Sequence, residues 1–480
     1  MANLMDTIAE TIKEEIDQGI DESLPKLDPV ATQAVPTSAG VYRTGIGRDW
    51  KVKHTFSGSI SGSFAWRNAT GGTVAIDGSD GANSFSLFGT DALETWQGVN
   101  EISSAGFIQK ELQLKEGFGN FLLPLKLLRS DRLDASVGSV VSEIVKGAAK
   151  RVALSQVHSF WKEDSDNNIG AFTAAGEVLN TTAKEFTLTA GRIRSFFPGL
   201  AVQIFKSDGS APTGMDASEP VWVDDVDYLK KSIKLVRRSG ASNVTLPSAS
   251  VLILPYDGAT SNADNSVAPS GLNDWIKDGT ETDTNVFGID VTAYSQFRSI
   301  KASPGGVPDT SVLNKHISGF NDAYGAELDT ILLAEGMMLA IVDNIADNTN
   351  FVRYDLQNEN LAVKQGFQPI NYMYNGKLYR IMTSPNCPNA TVYVVKLKDQ
   401  NLRKYVPPKL QGAGSESRFN GSVEFAAPVM GSRNIFLPVT SNDKPANFMQ
   451  APHLAWCEYC PKMVQSIKLD GFTDTSIYTG

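Results

Sequence analysis

One stretch patterned for a long amphipathic helix, Ser136 to Lys162, stands between a Gly-rich extended arm and a β-rich remainder, and few folds accommodate that order. Val137, Val140, Val141, Ile144, Val145, Ala148 and Val152 recur at helical spacing, while Glu143, Lys146, Lys150 and Arg151 take the complementary face. Leu122 to Leu133 supplies an apolar lead-in, and Asp134 or Ser136 is placed to cap the first turn. Arm and helix together are as long as a small domain, yet they hold no apolar core of their own. Such a unit needs a neighbour to pack on.

The arm divides by texture. Leu4, Ile8, Ile12, Ile16 and Ile20 recur every fourth residue and predict a short helix, packed on its own domain or on a partner, that ends near Gly19. Leu24 to Gly47 is Pro- and Thr-rich without a sustained period and predicts an extended strand of chain over a surface. From Trp50 the residues alternate through Val52, His54 and Phe56, then Ile60, Phe64 and Trp66, which predicts a strand pair. Gly71-Gly72 and Asp77 to Gly81 mark turns, so Trp50 to Phe121 reads as a long two-stranded loop that returns to the helix. Isolated hairpins are marginal in water. Phe56, Phe64, Trp66, Phe85, Phe88 and Trp96 are therefore candidate contacts with a covering partner. Lys126, Arg129, Asp131 and Arg132 form a mixed-sign group before the helix, read either as solvated surface or as salt bridges between subunits.

After the helix, short β-prone runs at Glu185–Thr189, Ala201–Phe205, Val221–Val226, Ser232–Val236 and Val251–Leu254 are separated by Gly turns. They predict a small antiparallel barrel inserted at about 164–269. The third region predicts helices over Asn314 to Tyr324 and Leu328 to Asp343. It also predicts a hairpin through Tyr374-Asn375-Gly376-Lys377, strands at Lys377–Met382 and Thr391–Lys396, later strands near Val423 and Ile435, and a last one at Ser466–Leu469 that returns toward the middle of the protein. The fold class is α+β.

Chemistry is sparse. Net charge is −10, which gives no basic footprint for gripping nucleic acid and leaves only local contact. Cys387, Cys457 and Cys460 are too few for a disulfide framework and suit a reducing cytoplasm. No apolar run is long enough to span a membrane. Cys457-Glu458-Tyr459-Cys460 with His453 has the spacing of half a metal site but lacks a fourth ligand nearby, so ordinary buried thiols are expected and no metal. Asp224, Asp225 and Asp227 lack the Gly and Glu of a calcium loop and fit a solvated strand end. His54, His158, His316 and His453 are scattered, with no nucleophile motif beside any of them. No phosphate loop or HExxH occurs, and neither catalysis nor a cofactor is expected.

The order of parts resembles the tailed-bacteriophage major capsid proteins, the Hong Kong 97-like family. The carriers are Trp50 to Trp66, Lys110 to Gly117 leading to Ser136–Lys162, Gly271-Leu272-Asn273-Asp274-Trp275-Ile276, and Pro369 to Tyr379 with its strand, Asn-Gly, strand pattern. The resemblance implies an N-terminal arm (1–49), an extended β-hairpin loop (50–121), a peripheral domain with a spine helix (122–163), the inserted β-rich unit (164–269), an axial domain with returning peripheral strands (270–450) and a C-terminal segment (451–480). It implies self-assembly as hexamers and pentamers into an icosahedral shell around viral double-stranded DNA, within the host cytoplasm. Scaffolding, portal and cement proteins are the further partners implied. The rival reading is a β-rich virion surface protein that binds carbohydrate or a receptor through the insertion; an enzyme with an unrecognised site is the least supported.

Overall fold

The computed structural model describes residues 28–30, 33–43, 50–57, 107–124, 135–162, 169–174, 176–191, 193–206, 209–216, 219–237, 243–247, 250–255, 269–281, 283–325, 327–347, 371–407, 423–425, 437–438 and 448–473. Within them the chain is a sheet-rich α+β protein whose longest helix, Ala135–Phe160, has 26 residues. At 1.5 Å per residue that helix is about 39 Å long. Ala149, Ala153, Val157 and Phe160 form its buried face, Val152 packs half-buried beside them, and Lys146, Lys150 and Arg151 are exposed. Among the described residues the apolar stripe runs through Ala149, Val152, Ala153, Val157 and Phe160. The side chains of Val137, Val140, Val141, Ile144, Val145 and Ala148 lie outside the described residues.

Two long antiparallel strands pack against this helix. Phe448–Pro461, a 14-residue strand, pairs in antiparallel register with Lys115–Pro124, from Phe448 opposite Pro124 to Cys457 opposite Lys115. It also pairs with Val423–Phe425, Leu437–Pro438 and Leu402–Tyr405. Val35–Thr37, from the N-terminal arm, adds to Leu402–Tyr405 as a parallel strand. The expected segment boundaries at 121/122 and 450/451 fall inside the two long paired strands.

Between helix and return, six strands close a barrel in the order Val221–Asp227, Ser232–Arg237, Lys184–Gly191, Gly170–Thr173, Ser250–Pro255, Ala201–Lys206. Five of them were expected; Gly170–Thr173 is the sixth. Alternation fills the interior: Val202 with Ile204, Val221 with Val223, Ile233 with Leu235, and Val251 with Ile253 are all buried.

The third unit is a six-stranded sheet in the order Ile300–Ala302, Ile467–Leu469, Val392–Val395, Thr330–Leu333, Lys377–Thr383, Asn371–Tyr374. Helices Thr310–Tyr324 and Glu335–Asp347 cover it with Leu313, Ile317, Phe320, Met337 and Ile341. The helix expected from Leu328 is a strand up to Leu333, because Thr-Ile-Leu-Leu is buried throughout, between a parallel and an antiparallel neighbour. A continuous apolar run of that length has no period by which to tell strand from helix. Asn375 (φ 49°) and Gly376 (φ 74°) make the hairpin turn, both in the left-handed region that a two-residue type I′ loop requires.

Candidate assembly surface and the junction behind it

Val41–Arg43, Trp50–Ser57 and Phe107–Gln113 form a three-stranded sheet at the base of the expected loop. Alternation gives it two unlike faces. Trp50, Val52, His54 and Phe56 are buried against the body, while Lys53 and Thr55 are exposed and Lys51 is half-buried. On the outer face Lys51 reaches Glu111 at 2.6 Å and the Tyr42 hydroxyl donates to the same carboxylate at 2.5 Å. These two partners hold the Glu111 carboxyl below its ordinary range. Phe56, expected to touch a neighbouring subunit, instead stacks on Phe287 at 5.1 Å within its own chain and is fully buried there. The strand's inward face is where an apolar ring at this position finds cover first. Phe64, Trp66, Phe85, Phe88, Trp96, Lys126, Arg129, Asp131 and Arg132 lie outside the described residues, as does the predicted helix of Leu4, Ile8, Ile12, Ile16 and Ile20.

Exposed apolar groups mark two hairpin tips. Met373 (72% exposed) and Leu378 (48%) are cross-strand partners beside Asn375-Gly376. Leu229 (81%) and Tyr228 (52%) crown the barrel turn between Val221–Asp227 and Ser232–Arg237.

Behind the surface, the end of the long helix meets segments far away in sequence. Asp28 is fully buried and its carboxylate accepts from the Val30 amide at 2.7 Å, Ser384 Oγ at 2.9 Å, Asn386 Nδ2 at 3.5 Å and the Trp161 indole. Phe160 sits edge-on to Tyr459 at 5.4 Å and near Trp275 at 6.1 Å. Lys162, almost wholly buried, pairs with Asp274 at 2.6 Å. Burial dominates at Asp274 and pushes its pKa up, although Lys162 pulls the other way. Gly271 packs so close to the Ser159 and Phe160 carbonyls that a Cβ has no room there. Buried Lys404 donates to Gln156 Oε1 at 2.7 Å.

His54 lies between the loop root and this junction. Burial lowers its pKa to about 4, so the imidazole is neutral at pH 7. Nε2 faces the Pro461 carbonyl at 3.1 Å and must carry the proton; Nδ1, 2.7 Å from the Tyr405 hydroxyl, is then the acceptor.

Cys457 and Cys460 fall on opposite faces of their strand, three residues apart in a period of two. Cys457 packs with Phe160 and Tyr459, Cys460 with Trp50 and Trp456, and burial raises both thiols. The half-site spacing therefore does not converge. Asp225 pairs with Lys234 at 2.9 Å, and Asp227 accepts the Leu229 and Lys230 amides, so these acids close a turn. Among the described residues no group of three His, Cys, Asp or Glu side chains comes together as a metal site, and no helix is long and apolar enough to cross a membrane.

Asp28, Lys162, Asp274, Lys404 and Glu458 were not singled out from the sequence as members of one junction. Glu458 was visible only as a spacer between two cysteines, and nothing local to Asp28 marks its seat.

No family model and no curated protein matches the chain. Solved structures similar to it include phage capsids and an encapsulin complex. The Cyanophage A-1(L) capsid asymmetric unit is 11% identical over 93% of each chain, with a TM-score of 0.40. The satellite phage P4 procapsid including its size determination protein is 11% identical over 95% of this chain and 99% of that chain, with a TM-score of 0.32. The Cyanophage Pam1 capsid asymmetric unit is 7% identical over 92% and 90%, with a TM-score of 0.32. Identities and TM-scores this low leave the functional reading to the arrangement of the chain's own elements.

Proposed function

We propose that this chain is a major capsid protein of the Hong Kong 97-like plan, which assembles as hexamers and pentamers into an icosahedral shell enclosing viral double-stranded DNA. The observation that carries the reading is the loop root. Trp50–Ser57 and Phe107–Gln113 run as a paired ribbon clamped to the body by one face, and the chain between them is rich in aromatic residues that the ribbon itself has no core to cover. In this reading residues 58–106 lie over an adjacent subunit, Ala135–Phe160 is the spine helix, the barrel is an inserted surface module, and the Met373–Leu378 tip belongs to the axial domain. Many modest contacts, repeated and closed by symmetry, then hold the shell, and single weak contacts let errors dissociate. Scaffolding, portal and cement proteins are the remaining partners of this plan.

Deleting Gly71 to Gly81, the turn-rich part of the loop, tests it. The variant is expected to remain a folded monomer or capsomer and to form no closed shells by electron microscopy. Wild-type-like particles with unchanged thermal resistance would remove the loop as an assembly element.

A further inference from the structure

The segment that leaves the barrel, residues 269–276, crosses the end of the long helix and meets the long strand Phe448–Pro461 at one side chain. The Ser270 amide donates to Glu458 Oε1 at 2.9 Å. Glu458 is 2% exposed, and its second oxygen, Oε2, has no hydrogen-bond partner. The charged groups around it come from every element packed there. Lys115 lies on the paired strand, and Lys162 at the helix end is already committed to Asp274. Lys404 is committed to Gln156, and Cys457, Tyr459 and Cys460 are buried neighbours on its own strand. None of them donates to Oε2.

We propose that Glu458 is a proton-operated latch: as the neutral acid it seats the barrel's return segment on the long strand, and loss of its proton to solvent releases that segment. With Oε1 accepting from Ser270, the proton resides on Oε2. Once it leaves, an anion remains in a nearly water-free site with one amide donor, a state that burial strongly disfavours. Two remedies are open, and both act on the same segment. Water enters if residues 269–274 lift, or Glu458 draws Lys162 from Asp274, which unties one of the segment's further anchors and leaves the Asn273 amide on the Lys162 carbonyl. Burial pushes the Glu458 carboxyl from its ordinary 4.5 up to about 7. The folded state therefore holds a proton that the unfolded state has lost between those values, and stability falls as pH rises through 7. This goes beyond the assembly reading, since it concerns the unassembled chain and stands whether or not shells form.

The test is hydrogen exchange and thermal melting of the full-length, unassembled chain at pH 6 and pH 8.5, with Glu458→Gln alongside. Gln keeps a carbonyl acceptor for Ser270 and cannot ionise. After correction for intrinsic base catalysis, wild-type protection over 269–274 is expected to fall roughly tenfold or more at the higher pH, with a lower melting temperature. The Gln variant is expected to show neither change. Equal wild-type protection at the two values, or a variant whose pH profile runs parallel to wild type, overturns the latch. Should Glu458→Gln fail to fold, the wild-type exchange experiment alone decides.

Discussion

The barrel and the junction solve the same packing problem with opposite materials. The barrel interior is hydrocarbon, from Phe172 and Phe186 to Ile253, and its Asp225–Lys234 and Glu177–Lys184 pairs stay at the exposed rim. One pair, Arg237 with Glu219, is buried there, and it is bidentate at 3.0 and 2.6 Å. The junction buries Asp28, His54, Lys162, Lys404 and Glu458, with Asp274 half-buried beside them. Its segments are remote: His54 and Tyr405 are 351 residues apart, and Asp28 and Ser384 are 356. Neighbouring strands find one register through alternation alone. Remote segments meeting at a helix end have no such guide, and directional polar contacts select one arrangement at a desolvation cost. Near neutral pH the junction should therefore be the more sensitive of the two.

The largest effect that sharpens this contrast is expected at Asp28. Asp28→Ala leaves the Trp161 indole, Ser384 and Asn386 without their shared acceptor and frees the N-terminal strand, at about 5 kcal/mol. Denaturant titration checks it, and a loss under about 1 kcal/mol would show that the acid adds little to the junction. Phe172→Ala comes next. It removes a ring packed 4.4 Å from Phe186 and should cost about 3–4 kcal/mol. That loss should be confined to the barrel's own melting step, so a matching shift in Trp161 fluorescence would break the division between the two regions.

The third effect is a pH dependence of opposite direction to that of the carboxyl latch. His54 has a folded pKa of about 4, below its ordinary 6.5, so the folded state binds fewer protons between those values. Stability is complete above 6.5 and is lost as pH falls through 4, by at most about 3 kcal/mol. His54→Gln retains a donor for Pro461 and an acceptor for Tyr405 without titrating, and it should flatten the acid limb of the melting-temperature profile. An unchanged acid limb would assign that loss to other groups.

Local chemistry was readable in the sequence where it is sufficient by itself. Asn375-Gly376 announces its turn because Asn followed by Gly takes two left-handed conformations in succession most readily. The long helix and five of the barrel strands follow from period. Gly170–Thr173 was missed because Gly-Ala-Phe-Thr is only four residues long and lies beside a polar break, and its strand character comes from neighbours at Lys184–Gly191 and Ser250–Pro255. Thr330–Leu333 was misread because burial on both faces erases period. Phe56 was sent outward although its alternation with Val52 and His54 placed it on the inner face of the ribbon. The junction was illegible in principle, since the partners of Asp28 and Glu458 are set by tertiary structure and leave no mark on neighbouring residues.

The Asp28 seat also fixes an order in time. Ser384 and Asn386 leave the ribosome more than 350 residues after Asp28. At ordinary elongation rates that wait is on the order of tens of seconds. The barrel strands, all within Gly170–Pro255, are complete long before it ends. Synthesis therefore passes through a stage in which the barrel is finished while Asp28 still waits for the partners that hold its carboxylate.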